Sequence, residues 1–213
     1  MVVGIILYAI QPSGAETYVA VPSAAVGTIT LFAGVVLGVW FATLEFSSGT
    51  MQRTLTAEPN RSKVLGEKLA VVLIATAIGG ILVAAGAAGL SNLAADASGV
   101  AIDRAELAGQ LFGSVPRWMA AASIGFGFGL LGRSFGGGIA AALVFVLAFD
   151  GLVSFIPGLE DFTFGQLTHD LTNGIGGLGE TQNGLFVAIV GTIAWCLVII
   201  LPGWIRFLRS DLK

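Results

Sequence analysis

The chain has 213 residues, of which 55% are hydrophobic and only 11% charged, where an ordinary soluble domain carries about 25% charged residues. So few charges cannot coat a water-exposed surface of this length, and the net charge of −3 leaves no basic footprint for nucleic acid. A lone cysteine, Cys196, excludes an internal disulfide. The composition is that of an integral membrane protein: one all-α, polytopic helix bundle formed by the whole chain, 1–213, with no room for a second catalytic domain.

The first ten residues, MVVGIILYAI, are apolar but about half the length a span needs. They lack the positive n-region of a cleaved signal peptide. They read either as an interfacial segment or as the end of a further, incomplete span. Charge-free runs then locate five full spans, since a bilayer core of about 30 Å takes roughly 20 apolar residues: 19–43, 69–91, 114–132, 135–156 and 184–205. The third and fourth form a tight hairpin around Arg133. Ser114 and Pro116 look like the cap and first-turn proline of the third, with Arg117 snorkelling outward.

Between the first two spans lies the segment 45–68, EFSSGTMQRTLTAEPNRSKVLGEK. Phe46, Met51 and Leu55 recur at helical spacing and predict a short amphipathic helix over 46–57; a solvated loop fits the same residues. Pro59 breaks that helix, Asn60 to Ser62 form a turn, and a second helix runs through Lys68 into the membrane. The stretch 92–113 reads as an acidic, mildly helical loop. Residues 157–183, with a Gly-dense run from Asn173 to Gly179, read either as short interfacial or re-entrant helices or as a mobile loop.

Lysine and arginine set the orientation. With five alternating spans, Arg53, Arg61, Lys63, Lys68, Arg133, Arg206, Arg209 and Lys213 share one side and only Arg104 and Arg117 the other. The positive-inside rule therefore puts 45–68 and the C-terminus in the cytoplasm.

Few motifs carry chemistry. Gly127, Gly129 and Gly132, and again Gly174, Gly176 and Gly179, match GxGxxG, but neither triplet lies between a strand and a helix as nucleotide binding requires. Gly125, Gly129 and Gly132, like Gly79, Gly80, Gly86 and Gly89, read instead as close helix packing. Each of the three lysines lacks the preceding glycine of a P-loop, so no ATP site of its own powers this chain. His169 beside Asp170 supplies too few ligands for a metal. Cys196 reads as a small buried hydrophobe, and Asp150 as an acid near the outer interface rather than a functional intramembrane charge. Catalytic and metal-binding residues are expected to be absent.

Glu45, Gly49-Thr50, Leu55, Pro59, Arg61 and Lys68 between two spans resemble the hallmark of type-2 ABC exporter permeases. The basic tail Phe207 to Leu212, the tight hairpin and the outer segment before the last span are similar as well. The resemblance implies the membrane subunit of an ATP-driven exporter in a prokaryotic cytoplasmic membrane. It would pair with a second permease copy (homodimer or related heterodimer) and with two copies of a separate ABC-type ATPase, which would bind the ATP and Mg. Glu45, Phe46, Gly49, Thr50, Arg53, Leu55, Pro59, Arg61 and Lys68 would form the coupling segment, and Arg133 at the hairpin tip a lesser contact. Family members begin with a full first helix, of which residues 1–10 would be at most the outer half, through a shortened form or an internal start. The Gly, Ala, Val, Leu and Phe of the spans suit lipophilic or amphipathic cargo. An anchoring or assembly subunit of a larger complex, transporting nothing, accounts for the same composition.

Overall fold

Residues 17–48, 60–153, 155–179 and 181–209 are described by a computed structural model of the chain; among them there is no β-strand. Helix α1, Thr17–Ser48, carries no proline or charge between Pro22 and Glu45 to stop it. It passes the expected end at residue 43 and takes in Glu45 and Phe46. The first residues of the expected amphipathic helix 46–57 thus belong to the long helix itself. The remainder, 49–59, lies outside the described residues.

Helix α2, Arg61–Ala97, is 37 residues long, about 55 Å at 1.5 Å per residue. Asn60 caps it, its side chain accepting from the Lys63 N–H at 3.2 Å, so the helix through Lys68 forms as expected. It overruns the far end of the expected span, and the loop assigned to 92–113 starts only after Ala97. The last part of that stretch is helix α3, Arg104–Gly113, capped by Asp103, which accepts from the N–H groups of Ala105 and Glu106.

Ser114 does not cap the next helix, α4, Val115–Gly132. Its backbone is already helical, and its hydroxyl donates back to the Leu111 carbonyl at 2.6 Å. Ser114 is therefore a joint between α3 and α4, while Pro116 does sit in the first turn of α4. Arg133 ends α4 in the left-handed region (φ 50°), its N–H donating to Gly129 O. Ser134 then caps α5, Phe135–Val153. This helix carries a π-helical turn over Phe145–Phe149 and ends three residues before the expected 156. Residues 157–183 hold a short 3-10 turn, Glu160–Phe162, and helix α6, Phe164–Gly176, the helical alternative of the two expected there. Helix α7 covers Gly184–Arg209, with Pro202 inside it.

Among the described residues, four helices are long and apolar enough to cross a membrane: α1 over Tyr18–Leu44, α2, α5 and α7. They show large apolar side chains outward, among them Ile29 on α1, Ile74, Ile78 and Leu82 on α2, Leu147 on α5 and Val198 on α7. Such continuous apolar surface suits lipid and not water. The count of five full spans is not confirmed, because α4 is shorter (18 residues, about 27 Å) and less apolar. Eleven of its 18 residues are buried, and it packs against α1, α2, α5 and α7. A helix wrapped by protein needs small residues for close approach, not the Leu and Ile that face lipid.

The glycines of α4 carry out that approach. A Cβ on Gly125 would run into the carbonyl of Val35, and one on Gly38 of α1 into that of Ala122. Gly127 serves the opposite face, its Cβ position 2.9 Å from Ile199 Cγ2 of α7. Gly129 and Gly132 pack equally closely, Gly132 against Gly138 of α5, so the packing reading of Gly125, Gly129 and Gly132 agrees with the structure. On α2 it holds for Gly79 and Gly80, which seat the Trp118 ring, but not for Gly86 and Gly89, which face open space.

Candidate functional site

The helix directions bring the described basic residues of the expected inner side to one end of the bundle. Arg61 opens α2, Arg133 caps the α4–α5 turn, and Arg206 lies in the last turn of α7. Arg61 Nη1 donates to the carbonyls of Phe207 and Leu208, each at 3.4 Å. Arg133 Nη2 reaches the Arg206 carbonyl at 3.5 Å, and Arg206 Nη1 donates to the Leu131 carbonyl. The last carbonyls of a helix have no partner within it and carry the negative end of its dipole. Here arginines from neighbouring elements supply the missing donors, joining α2, the hairpin tip and α7 in one collar. Desolvation lowers the Arg133 guanidinium from its ordinary value, and the nearby Arg206 charge lowers it further.

Beneath the collar, Leu65, Phe126, Leu130 and Phe207 form a buried cluster with Ala42, Val72 and Ala122, flanked by Trp204. Lys68, half-buried, lies two turns from Arg61 on the same side of α2. The structure thus brings Arg61 and Arg133 together around the end of α7 and leaves Lys68 close by along α2. Glu45 and Phe46 fall on the last turn of α1, their side chains outside the described residues. Gly49, Thr50, Arg53, Leu55 and Pro59 also lie outside them.

The opposite end has its own polar connections. The Ser91 hydroxyl of α2 donates to the Tyr18 carbonyl of α1, and the Tyr18 hydroxyl to Ser98 Oγ at 2.9 Å. Arg104 pairs with Asp96 at 2.8 Å on the exposed surface. Gly109 of α3 and Gly176 of α6 meet backbone to backbone, each blocking a Cβ on the other.

Sequence reasoning weighed Asp170 only as a neighbour of His169 and missed its burial, at 1% exposure. Its carboxylate accepts from Gln166 Nε2 at 3.0 Å, from the backbone N–H groups of Gln182 and Asn183, and from Asn183 Nδ2 at 3.1 Å. It thereby ties down the turn leading into α7 from a neighbouring helix and places a negative charge near the start of α7, where the helix dipole favours one. Two signals were present: Gln166 and Asp170 at i, i+4, and Asn183-Gly184 just before a long apolar run. His169, its neighbour, points the other way and is exposed. Among the described residues, no three His, Cys, Asp or Glu side chains gather as a metal site.

Comparison with family models, with curated proteins and with solved structures finds no match for the chain. What this end of the bundle can do follows from its chemistry. A cationic collar tied to helix carbonyls over an apolar cluster can hold three elements in register, so that a load on one is passed to the others. The second surface feature is an apolar groove of about 400 Å³ between α4 and α7, closed at its ends by α2 and α6.

Proposed function

We propose that this chain is the membrane subunit of an ATP-driven exporter for lipophilic or amphipathic cargo, working with separate ATPase subunits that hold the ATP and Mg. The observation that carries the reading is the bond from Arg61 to the Phe207 and Leu208 carbonyls, next to Arg133 on Arg206. The segment resembling a coupling element, 45–68, contains the residue that grips the last helix, Arg61. A force applied by an ATPase to the segment 45–68 would reach α7 through Arg61 and the hairpin through the Arg133–Arg206 contact. Rigid-body re-posing of helices is the established route by which such a force opens a pathway on the other side.

In this reading the arginine collar faces the cytoplasm of a prokaryotic cell, α4 counts as the fifth span inside the bundle, and a second permease copy completes the unit. Export then uses motion supplied from outside the chain, which fits the missing P-loop and the scarcity of charge in the long helices. The test is co-purification of the full-length protein with ABC-type ATPases from its native membrane, followed by Glu45→Arg and Arg61→Glu. Both variants should insert normally and lose the ATPase or its substrate stimulation. Retained stimulation in both removes the coupling assignment, and recovery of the chain with some other assembly and no ATPase favours the anchoring subunit instead.

A further inference from the structure

Arg133 and Arg206 clasp each other's segments. Arg133 Nη2 reaches the Arg206 carbonyl at 3.5 Å, and Arg206 Nη1 donates to the carbonyl of Leu131, just before Arg133. The crossing brings two guanidiniums close together between the hairpin tip and the end of α7. Arg133, already lowered by desolvation, is lowered further by the Arg206 charge. Among the described residues neither arginine has a carboxylate partner, whereas Arg104 at the opposite end has Asp96 at 2.8 Å. Like charges held together without an anion repel. Each guanidinium also keeps several N–H donors beyond the one tied to a carbonyl. Arg133 is half-exposed and Arg206 exposed, so those donors are open to a ligand.

The backbone at Arg133 points the same way. Among the described residues it is the one non-glycine with a positive φ, 50°. Glycine closes a helix end in that conformation without strain, and it is plentiful on both sides, at Gly132 and at Gly136 to Gly138. One long bond of 3.5 Å to the Arg206 carbonyl is weak compensation for an arginine in its place.

The pair also sits at the depth of lipid headgroups. Helix α7 has 26 residues, about 39 Å at 1.5 Å per residue against a hydrocarbon core of about 30 Å, and Arg206 lies in its last turn. Pro202 and Val198, one and two turns earlier on the same face, are exposed, and Phe135 near Arg133 is 43% exposed. An anion reaching both arginines therefore has apolar, lipid-facing surface directly beneath it.

We propose that Arg133 and Arg206 hold the phosphate of an anionic phospholipid whose acyl chains lie along Pro202 and Val198 of α7. Arginine forks match phosphate oxygens, and the cytoplasmic leaflet, where the basic end is expected, supplies anionic lipid. The site requires the bundle to stand in a bilayer; it does not require that the chain exports anything.

The full-length protein, purified in a neutral detergent, is melted with increasing dioleoylphosphatidylglycerol or, as the zwitterionic control, dioleoylphosphatidylcholine. The anionic lipid should give the same rise in Tm at about ten-fold lower concentration, the scale of two arginines beside an anionic headgroup. Added salt should erode the difference. Arg206→Gln should bring the two lipids close to parity. Arg104→Gln, which removes the same charge at the opposite end, should leave the preference intact. Arg206→Glu sets a carboxylate beside Arg133; it should fold without anionic lipid and show no preference, and it decides the matter where Arg206→Gln fails to fold. Equal response of the wild type to both lipids, a preference that survives in Arg206→Glu, or its loss in Arg104→Gln overturns the site. So does an equal rise in Tm from inorganic phosphate at the lipid's concentration, which would mark a bare anion. Lipid parity together with protection of Arg133 and Arg206 in a co-purified ATPase complex overturns it as well, and assigns the pair to that protein.

Discussion

Arg61 and Phe207 are 146 positions apart, yet the Arg61 guanidinium donates to the Phe207 carbonyl. The Phe207 ring, 1% exposed, packs under the same contact against Leu65. One residue thus ends a helix in two ways, by offering its carbonyl to an arginine and its side chain to the core. Arg61→Met should remove the charge-assisted bonds while keeping most of the stem packing. Because the pair is partly exposed, the loss should be about 1 kcal/mol, read as a lower Tm in detergent, and Arg61→Lys should recover only part of it.

The α1–α4 contact should be the least tolerant of added bulk. Gly38→Val or Gly125→Val places a side chain against backbone that cannot give way. Either variant should cost about 1–3 kcal/mol or more, seen as loss of a monodisperse peak in size-exclusion chromatography. Gly86→Ala, where nothing lies within 4 Å, should be neutral or slightly more stable, by up to about 1 kcal/mol.

Asp170→Asn should destabilise the start of α7. The amide has one acceptor oxygen where the carboxylate has two, and its NH₂ would face the donors of Asn183. A loss of about 1–3 kcal/mol is expected, with increased hydrogen exchange confined to residues near 182–186. Unchanged exchange there would show that the turn into α7 does not depend on this carboxylate.

Arg133 combines a left-handed backbone with a side-chain bond to the Arg206 carbonyl. Arg133→Gly should relieve backbone strain of about 1 kcal/mol while deleting the bond. Arg133→Val should lose both ways, since a β-branched residue resists that conformation. Thermal melts of the two variants should therefore differ by more than their side-chain loss alone, with Gly the more stable.

Much of the fold was legible from charge. The runs without Asp, Glu, Lys or Arg locate α1, α2, α5 and α7, because only an apolar helix suits a bilayer interior. Asn60 could be read as a turn signal by local chemistry, but Arg61 and Ser62, expected in the same turn, already belong to α2. Ser114 could not: its hydroxyl serves Leu111 because α3 stacks directly on α4, which depends on where α3 lies. The end of α1 was also misplaced, since hydrophobicity ends before the helix does, and Glu45 and Phe46 continue it.

The sequence by itself determined a membrane-type helical protein whose long helices are nearly free of charge, because composition and charge placement answer to the solvent rather than to partners in space. Only the tertiary structure decided that α4 is the protein-wrapped centre, that Asp170 is buried, and that arginines from three elements meet at the end of α7. Those depend on contacts between elements, from 12 positions apart for Asp170 to 146 for Arg61, which hydropathy does not encode: a buried Gly-rich helix and a carboxylate on a short helix look unremarkable until their neighbours are known.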